Sequence, residues 1–100
     1  MTITDNEREL LLILQEECAE VIQAVSKIFR FGIDTEWNGE TNRQHLEEEL
    51  GDLKCMIDLT VDSRFDLCNH TNIINAQIAK ETKLETYSNL YSKEPYATLP

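Results

Sequence analysis

The sequence predicts a small all-α protein. Only three glycines and two prolines occur in 100 residues, of which 41% are hydrophobic and 28% charged, and long stretches repeat apolar residues every three or four positions, the period of an amphipathic helix. A chain of this length forms one domain and buries only about 60–68% of its extended surface. An elongated helical chain buries less, so we expect a helical bundle that is completed by oligomerisation. We place this domain at residues 1–91 and an extended tail at residues 92–100.

The first predicted helix runs from Thr4 to Phe31. Thr4 and Glu7 have the spacing of a capping box, and Gly32 has the position of a helix stop. No glycine or proline interrupts the segment, which carries an apolar stripe of Leu10, Leu14, Cys18, Val21, Val25 and Ile28.

A loop with a turn at Asn38 and Gly39 is predicted to follow. Thr41 and Gln44 then form a second capping box. The helix that they begin is predicted to end near residues 63–65, and its stripe consists of Leu46, Leu50, Leu53, Ile57 and Val61.

A third helix is predicted from about Asn72 to Tyr91. Apolar residues recur along it roughly in phase, and Asn72 lies where a capping residue is expected. The stripe consists of Ile74, Ile78, Leu84, Tyr87 and Tyr91.

The charge and the cysteines exclude several classes of partner. Nineteen acidic residues against nine basic ones give a net charge of −10, which disfavours binding to nucleic-acid phosphates. No apolar run approaches the roughly 18–20 residues that cross a bilayer, and the N-terminus lacks the basic region of a signal peptide. The three cysteines are widely spaced with no C-x-x-C pair, which favours reduced thiols and a cytoplasmic location.

Two pairs of acidic residues fall on helix faces that should be buried. Glu17 lies within the first apolar stripe with Glu20 beside it, and Glu49 and Asp52 lie beside the second stripe. Residues three apart on a helix are neighbours, so antiparallel packing would bring four carboxylates together. Two like charges about 5 Å apart repel by roughly 3 kcal/mol at an effective dielectric near 20. Four carboxylates can avoid this repulsion by protonation or by binding cations. Oxygen ligands without histidine or cysteine favour Mg²⁺, Mn²⁺ or Ca²⁺ over zinc. The alternative is a solvated acidic edge, the usual meaning of a single E-x-x-E.

The two acidic motifs together resemble those of a known superfamily. Glu16, Glu17 and Glu20 fit E-E-x-x-E, and Glu49 and Asp52 fit E-x-x-D. Their order, helical setting and intervening loop are similar to the MazG-like all-α nucleoside triphosphate pyrophosphohydrolases, especially the short chains of phage and bacteria. The resemblance covers about residues 10–90. It implies a MazG-like bundle that works as a homodimer or homotetramer, and hydrolysis of (d)NTPs between the α and β phosphates to a nucleoside monophosphate and pyrophosphate.

The resemblance also implies roles for the motif residues. Mg²⁺, or Mn²⁺ in its place, would be held by Glu17, Glu20, Glu49 and Asp52. Glu16, the first acid of its motif, would orient or deprotonate the attacking water.

Basic residues are scarce, so their positions are informative. Lys27 and Arg30 follow the acid pair on the first helix, and we assign them to the substrate phosphates. Lys80 and Lys83 on the third helix resemble the late lysines that family members use near phosphates. The alternative for each is a solvated side chain paired with a neighbouring acid.

Two ring side chains near the acidic motifs are candidates for contact with the substrate. Trp37, the only tryptophan, has the position to stack on a nucleobase or to close a lid; otherwise it anchors the loop. His45, one turn before Glu49, either bonds the base or a phosphate or is simply exposed.

Two other functions remain open. One is a related activity of the same superfamily, on dUTP, dCTP or phosphoribosyl-ATP. The other is a helical oligomerisation module without catalysis, which has no evident use for partly buried like charges. A ferritin-like di-iron site is disfavoured because the E-x-x-H pairs it requires are missing.

Overall fold

A computed structural model describes residues 2–91 of the chain and confirms the all-α class. Its elements are α1 (Asp5–Phe31), β1 (Glu36–Trp37), β2 (Glu40–Thr41), α2 (Asn42–Val61) and α3 (His70–Tyr87). The two strands are two residues each and join α1 to α2. Completion of the bundle by further copies stays a prediction.

The chain divides into two compact units. Residues 1–67 hold α1, the hairpin and α2, and residues 68–100 hold α3. The single domain over residues 1–91 stays a prediction, and the predicted tail at residues 92–100 lies outside the described residues. None of the helices in the described range 2–91 is long and apolar enough to span a bilayer.

Helix α1 begins and ends as its sequence predicts. The Thr4 hydroxyl accepts a hydrogen bond from the Glu7 N–H at 3.1 Å, and the Glu7 carboxylate accepts one from the Thr4 N–H at 2.7 Å. At the other end Gly32 has φ +102° and donates its N–H to the Ile28 carbonyl at 2.9 Å. A Cβ at Gly32 would lie 2.9 Å from the Thr35 hydroxyl, so both conformation and space require glycine here.

The connection between α1 and α2 is a tight β-hairpin. Glu36 pairs with Thr41 and Trp37 with Glu40 in antiparallel register. Asn38 and Gly39 both have positive φ, 54° and 80°, as the central residues of a type I′ turn require. The predicted turn is therefore confirmed, whereas the strands are too short to show any period in the sequence.

A set of contacts at the base of this hairpin fixes the start of α2 to the end of α1. The buried Asn42 amide donates to the Gly32 carbonyl at 2.8 Å, and the Asn42 N–H donates to the Thr35 carbonyl at 3.1 Å. The Arg43 guanidinium binds the Asp34 carboxylate through two hydrogen bonds of 3.0 and 3.2 Å, which lower the pKa of Asp34. We call these contacts of Asn42 and Arg43 the base clamp.

Helix α2 begins at the predicted capping box and ends earlier than predicted. The Thr41 hydroxyl accepts from the Gln44 N–H at 3.1 Å. The helix stops at Val61 rather than near residues 63–65 because the Asp62 carboxylate accepts from the Arg64 N–H at 2.8 Å and from its guanidinium at 2.9 Å, which closes a turn. The same contacts lower the pKa of Asp62 to about 2.

Helix α3 is displaced toward the N-terminus relative to its prediction. It spans His70–Tyr87 rather than Asn72–Tyr91. Asn69 is the N-cap, and its side chain accepts from the Asn72 N–H at 2.9 Å, so the prediction that Asn72 caps the helix was wrong. No residue of α3 is buried in the described chain.

The core lies between α1 and α2, which run antiparallel. Its buried apolar residues are Leu10, Ala24 and Met56, and its buried polar residues are Asn42, Glu49 and Thr60. Two of the three least exposed residues of α1 and α2 are small, Ala24 at 1% and Thr60 at 4%. Small side chains at this seam let the two backbones approach closely.

The buried faces are rotated from the predicted stripes toward the acidic residues. Cys18 and Val25 were predicted to be buried on α1 and are exposed, as are Leu50 and Ile57 on α2. The predicted stripes followed the spacing of apolar residues and left out the small residues Ala24 and Thr60, which are buried. As a result Glu49 lies in the middle of the buried face of α2 rather than at its edge.

Candidate metal centre

Four carboxylates from α1 and α2 meet between the two helices. One oxygen from each of Glu17, Glu20, Glu49 and Asp52 lies within 4.8 Å of the others. Each helix supplies two residues at i, i+3, which face the same way, and the antiparallel packing brings the pairs together. We call these four residues the acidic cluster.

Two oxygens of the acidic cluster are buried without a polar partner. Glu49 is 8% exposed and Glu17 is half-buried, whereas Glu20 and Asp52 are exposed. Neither Glu17 Oε2 nor Glu49 Oε2 has a hydrogen bond with any described residue. Burying a carboxylate oxygen without a donor or a cation is strongly unfavourable, so the cluster has the chemistry of a cation site.

The acidic cluster raises the pKa of two of its members. Burial raises the pKa of Glu17 above the ordinary 4.5, and the negative charges of Glu20 and Asp52 add to the effect. For Glu49, a hydrogen bond with the Glu20 carboxyl raises the pKa most, followed by burial. His45 opposes the rise because its Nε2 lies 3.3 Å from Glu49 Oε1.

These shifts predict that the metal-free protein is more stable at mildly acidic pH than at neutral pH. The folded forms of Glu17 and Glu49 hold their protons above the unfolded value of 4.5. Their contribution to stability is full below that value and is lost as the pH rises through the raised folded pKa. The melting temperature in a chelator should therefore fall as the pH rises from about 4.5 towards neutrality.

Melting temperatures should be compared only above a lower limit of pH, because the ionised forms of other carboxylates stabilise the folded chain. Asp34 and Asp62 have lowered pKa values, so their contribution is lost only as the pH falls below 3.8. A metal-free melting temperature that rises steadily from pH 4.5 to neutrality would contradict the assignment.

The donor set fits a hard divalent cation. All ligand atoms that the acidic cluster offers are carboxylate oxygens, the preferred donors of Mg²⁺, Mn²⁺ and Ca²⁺. His45 contacts Glu49 rather than joining the group, as expected of a side chain that orients a ligand. The cluster could thus hold a metal, and its composition does not choose among these ions.

Glu16, the predicted catalytic residue, lies on α1 directly before Glu17. Its side chain is exposed, and its negative charge contributes to the raised pKa of Glu17. It stands outside the group of four oxygens.

A cleft of about 650 Å³ lies at the hairpin end of the same unit. Lys27, Trp37 and His45 line it together with Phe31. His45 therefore connects the cleft with the acidic cluster through Glu49. The Phe31 ring is exposed, and the position of Phe31 directly before the helix stop is the sequence signal that could have placed it at the cleft.

The remaining basic candidates are placed elsewhere. Arg30 does not line the cleft, and its guanidinium lies over the Phe31 ring, 4.9 Å from the ring centre. Lys80 and Lys83 are exposed on α3, in the second unit of the chain. Their assignment to phosphate binding stays a prediction.

Comparison with protein families places these features in a known group. Residues 5–66 match the family described as the MazG nucleotide pyrophosphohydrolase domain. This range contains the capping box of α2, the hairpin and the whole acidic cluster. Searches of curated proteins and of solved structures find no significant match. Because the match covers more than half of the chain, and as the acidic motifs predict, this protein belongs to the MazG nucleotide pyrophosphohydrolase domain family.

Proposed function

We propose that this protein is a Mg²⁺-dependent pyrophosphohydrolase that cleaves the α–β phosphate bond of (d)NTPs. The products are a nucleoside monophosphate and pyrophosphate. The acidic cluster carries the proposal: four carboxylate oxygens lie within 4.8 Å, and Glu17 and Glu49 each have a buried oxygen with no hydrogen bond among the described residues. Membership of the MazG family supports the same reading.

Glu17, Glu20, Glu49 and Asp52 are the proposed ligands of Mg²⁺, with Mn²⁺ as an alternative ion. When bound, the cation offsets the negative charge of the cluster and of the triphosphate and polarises a phosphoryl oxygen. The protein contributes rigid placement, because all four ligands lie on long helices rather than on loops.

Glu16 is the proposed base. Its exposed carboxylate adjoins Glu17 on the same helix, so water has access to it. It would accept a proton from the attacking water while the bond between the α and β phosphates breaks and pyrophosphate leaves.

The cleft is the proposed binding site for the base of the nucleotide and for those phosphate oxygens that do not contact the metal ion. Lys27 is the cationic side chain among its lining residues and would pair with phosphate oxygens. Trp37 and Phe31 present exposed rings on which a base could stack. Arg30, Lys80 and Lys83 are proposed as further phosphate contacts.

The proposed setting is a cytoplasmic homo-oligomer without nucleic-acid or membrane partners. All three cysteines, Cys18, Cys55 and Cys68, are free and exposed, as suits a reducing compartment. The net charge of −10 opposes binding to polyanions.

A substrate panel tests the function directly. The purified protein is incubated with each dNTP and NTP and with phosphoribosyl-ATP, in Mg²⁺, in Mn²⁺ and in chelator. We expect metal-dependent release of pyrophosphate and monophosphate. Release of orthophosphate instead would contradict cleavage at the α–β bond. Turnover restricted to dUTP, dCTP or phosphoribosyl-ATP would select the related activity, and absence of turnover from all of them would favour a non-catalytic module.

A further inference from the structure

Several polar side chains that line the cleft already have partners within the chain. They bond a main-chain group or contact Glu49, and they are Thr35, Thr41, Asn42 and His45. The Asn38 amide has no partner among the described residues, but it offers both a donor and an acceptor, so it discriminates little between ligands. The preference of the cleft therefore depends mainly on its charged side chains.

Three charged side chains of the cleft have no partner among the described residues. Lys27, Glu36 and Glu40 line the cleft, and none of them forms an ion pair or a side-chain hydrogen bond with any residue in the range 2–91. A cation and two carboxylates are thus available to a bound molecule.

Lys27 lies between the acidic cluster and the hairpin. It follows Glu20 by seven residues on α1, which is two helical turns or roughly 10 Å along the axis. A nucleotide whose phosphates reach from the acidic cluster to Lys27 would extend its base towards the hairpin. The charged groups that remain for the base are the two carboxylates.

The register of the hairpin places Glu40 beside Trp37. The two residues pair across the strands, and residues directly opposite each other point to the same face with Cβ atoms about 5 Å apart. Glu36 precedes Trp37 in the strand and so points to the other face. Trp37 is 75% exposed, so a base can stack on its ring. The ring N–H of Trp37 lies in the plane of the ring and does not point at such a base, which leaves Glu40 as the polar group beside the edge of the base.

A carboxylate accepts hydrogen bonds and donates none. It therefore matches the exocyclic amino group of cytosine, which acidic side chains also recognise in DNA, and the amino group of adenine is chemically equivalent. Uracil and hypoxanthine carry a carbonyl oxygen at the same position. A carboxylate cannot donate to this oxygen, and its negative charge repels it.

We infer that Glu40 is a specificity-determining residue that selects nucleotides with an amino-bearing base, cytosine or adenine, over the oxo counterparts uracil and hypoxanthine. The inference rests on the proposed function, because it assigns the cleft to the base of a nucleotide. It predicts that dUTP is not the preferred substrate.

Matched pairs of nucleotides test this preference. The bases of dCTP and dUTP differ in one exocyclic group and the ring proton that accompanies it, and dATP and dITP differ in the same way. The value of kcat/KM with Mg²⁺ should be at least about tenfold higher for the amino member of each pair, since the hydrogen bond is to a charged group. Equal values within the pairs, or a preference for the oxo members, would overturn the inference.

The variant Glu40→Gln tests the residue itself. Its amide donates as well as accepts, so dUTP should gain and dCTP should lose, and the ratio of their kcat/KM values should fall by at least about fivefold. Glu48→Gln makes the same change on an exposed side chain outside the cleft and should keep the parental ratio. Both variants should keep parental helicity by circular dichroism. An unchanged ratio in Glu40→Gln, or equal changes in both variants, would show that Glu40 does not set the preference.

The fluorescence of Trp37, the only tryptophan, gives a measurement that needs no turnover. With Mg²⁺ present, dCMP should quench this fluorescence at a lower concentration than dUMP, and Glu40→Gln should remove the difference. Free tryptophan titrated in parallel corrects for light absorbed by the nucleotides. If no triphosphate is hydrolysed but dCMP binds more tightly than dUMP, the proposed function is wrong and the inference is supported. Equal quenching by the two nucleotides, or quenching by neither, would overturn the inference.

Discussion

Replacing Glu49 with glutamine is expected to abolish nucleotide hydrolysis without destabilising the metal-free protein. Glu49 is the most buried member of the acidic cluster, and its Oε2 has no hydrogen bond with any described residue. The amide keeps the shape and removes the charge, so metal affinity should fall and turnover at millimolar Mg²⁺ should drop by at least about 100-fold. The melting temperature in chelator should stay the same or rise, because a repelling charge has gone.

Glu48→Gln is the matched control for this experiment. It makes the same chemical change one position earlier on α2, on an exposed side chain outside the acidic cluster. It should retain parental turnover. Parental turnover by Glu49→Gln would show that the ligand assignment is wrong, and equal losses in both variants would attribute the effect to overall charge.

Mg²⁺ is expected to raise the melting temperature of the parent protein substantially. The four carboxylate oxygens lie within 4.8 Å only in the folded chain, so the ion binds the folded state far more tightly than the unfolded one. At a Mg²⁺ concentration one hundred times its Kd the gain is about 2.7 kcal/mol. For a chain of this size each 1 kcal/mol shifts the melting temperature by roughly 4–8 °C, so the total shift should exceed about 10 °C.

The control must separate site binding from general screening of a net charge of −10. KCl at matched ionic strength should give a much smaller shift, and Glu49→Gln should lose most of the response to Mg²⁺. If KCl raises the melting temperature as much as Mg²⁺ does, or if the variant responds like the parent, the acidic cluster is not the binding site.

Local sequence chemistry predicted the starts of α1 and α2 and the acidic cluster. Thr4 and Thr41 each have a partner three residues later, and such reciprocal hydrogen bonds form within a few residues whatever the rest of the chain does. The cluster was predictable for a related reason: the i, i+3 spacing of each acid pair is fixed by the helix, and a short connection leaves antiparallel packing as the natural arrangement of two helices.

Features that depend on particular side-chain contacts or on tertiary packing were not predictable in this way. The end of α2 depends on the Arg64 side chain, which folds back onto Asp62. The spacing of apolar residues does not predict this contact. The rotation of the buried faces depends on Ala24 and Thr60, whose small size gives them little weight in an apolar pattern. The cleft depends on the hairpin, which sets Trp37 near Lys27.

The base clamp has a consequence for where the length of this chain can change. Asn42 and Arg43 bind the start of α2 to Gly32, Thr35 and Asp34. These contacts align the two helices, so the alignment does not depend on the tip of the hairpin. Insertions between Asn38 and Gly39 would lengthen the hairpin and leave the alignment of α1 and α2 unchanged. A single residue inserted within α1 or α2, between the base clamp and the acidic cluster, would rotate one pair of acidic residues away from the other by about 100°. Insertions and deletions should therefore accumulate at the tip of the hairpin rather than within the helices.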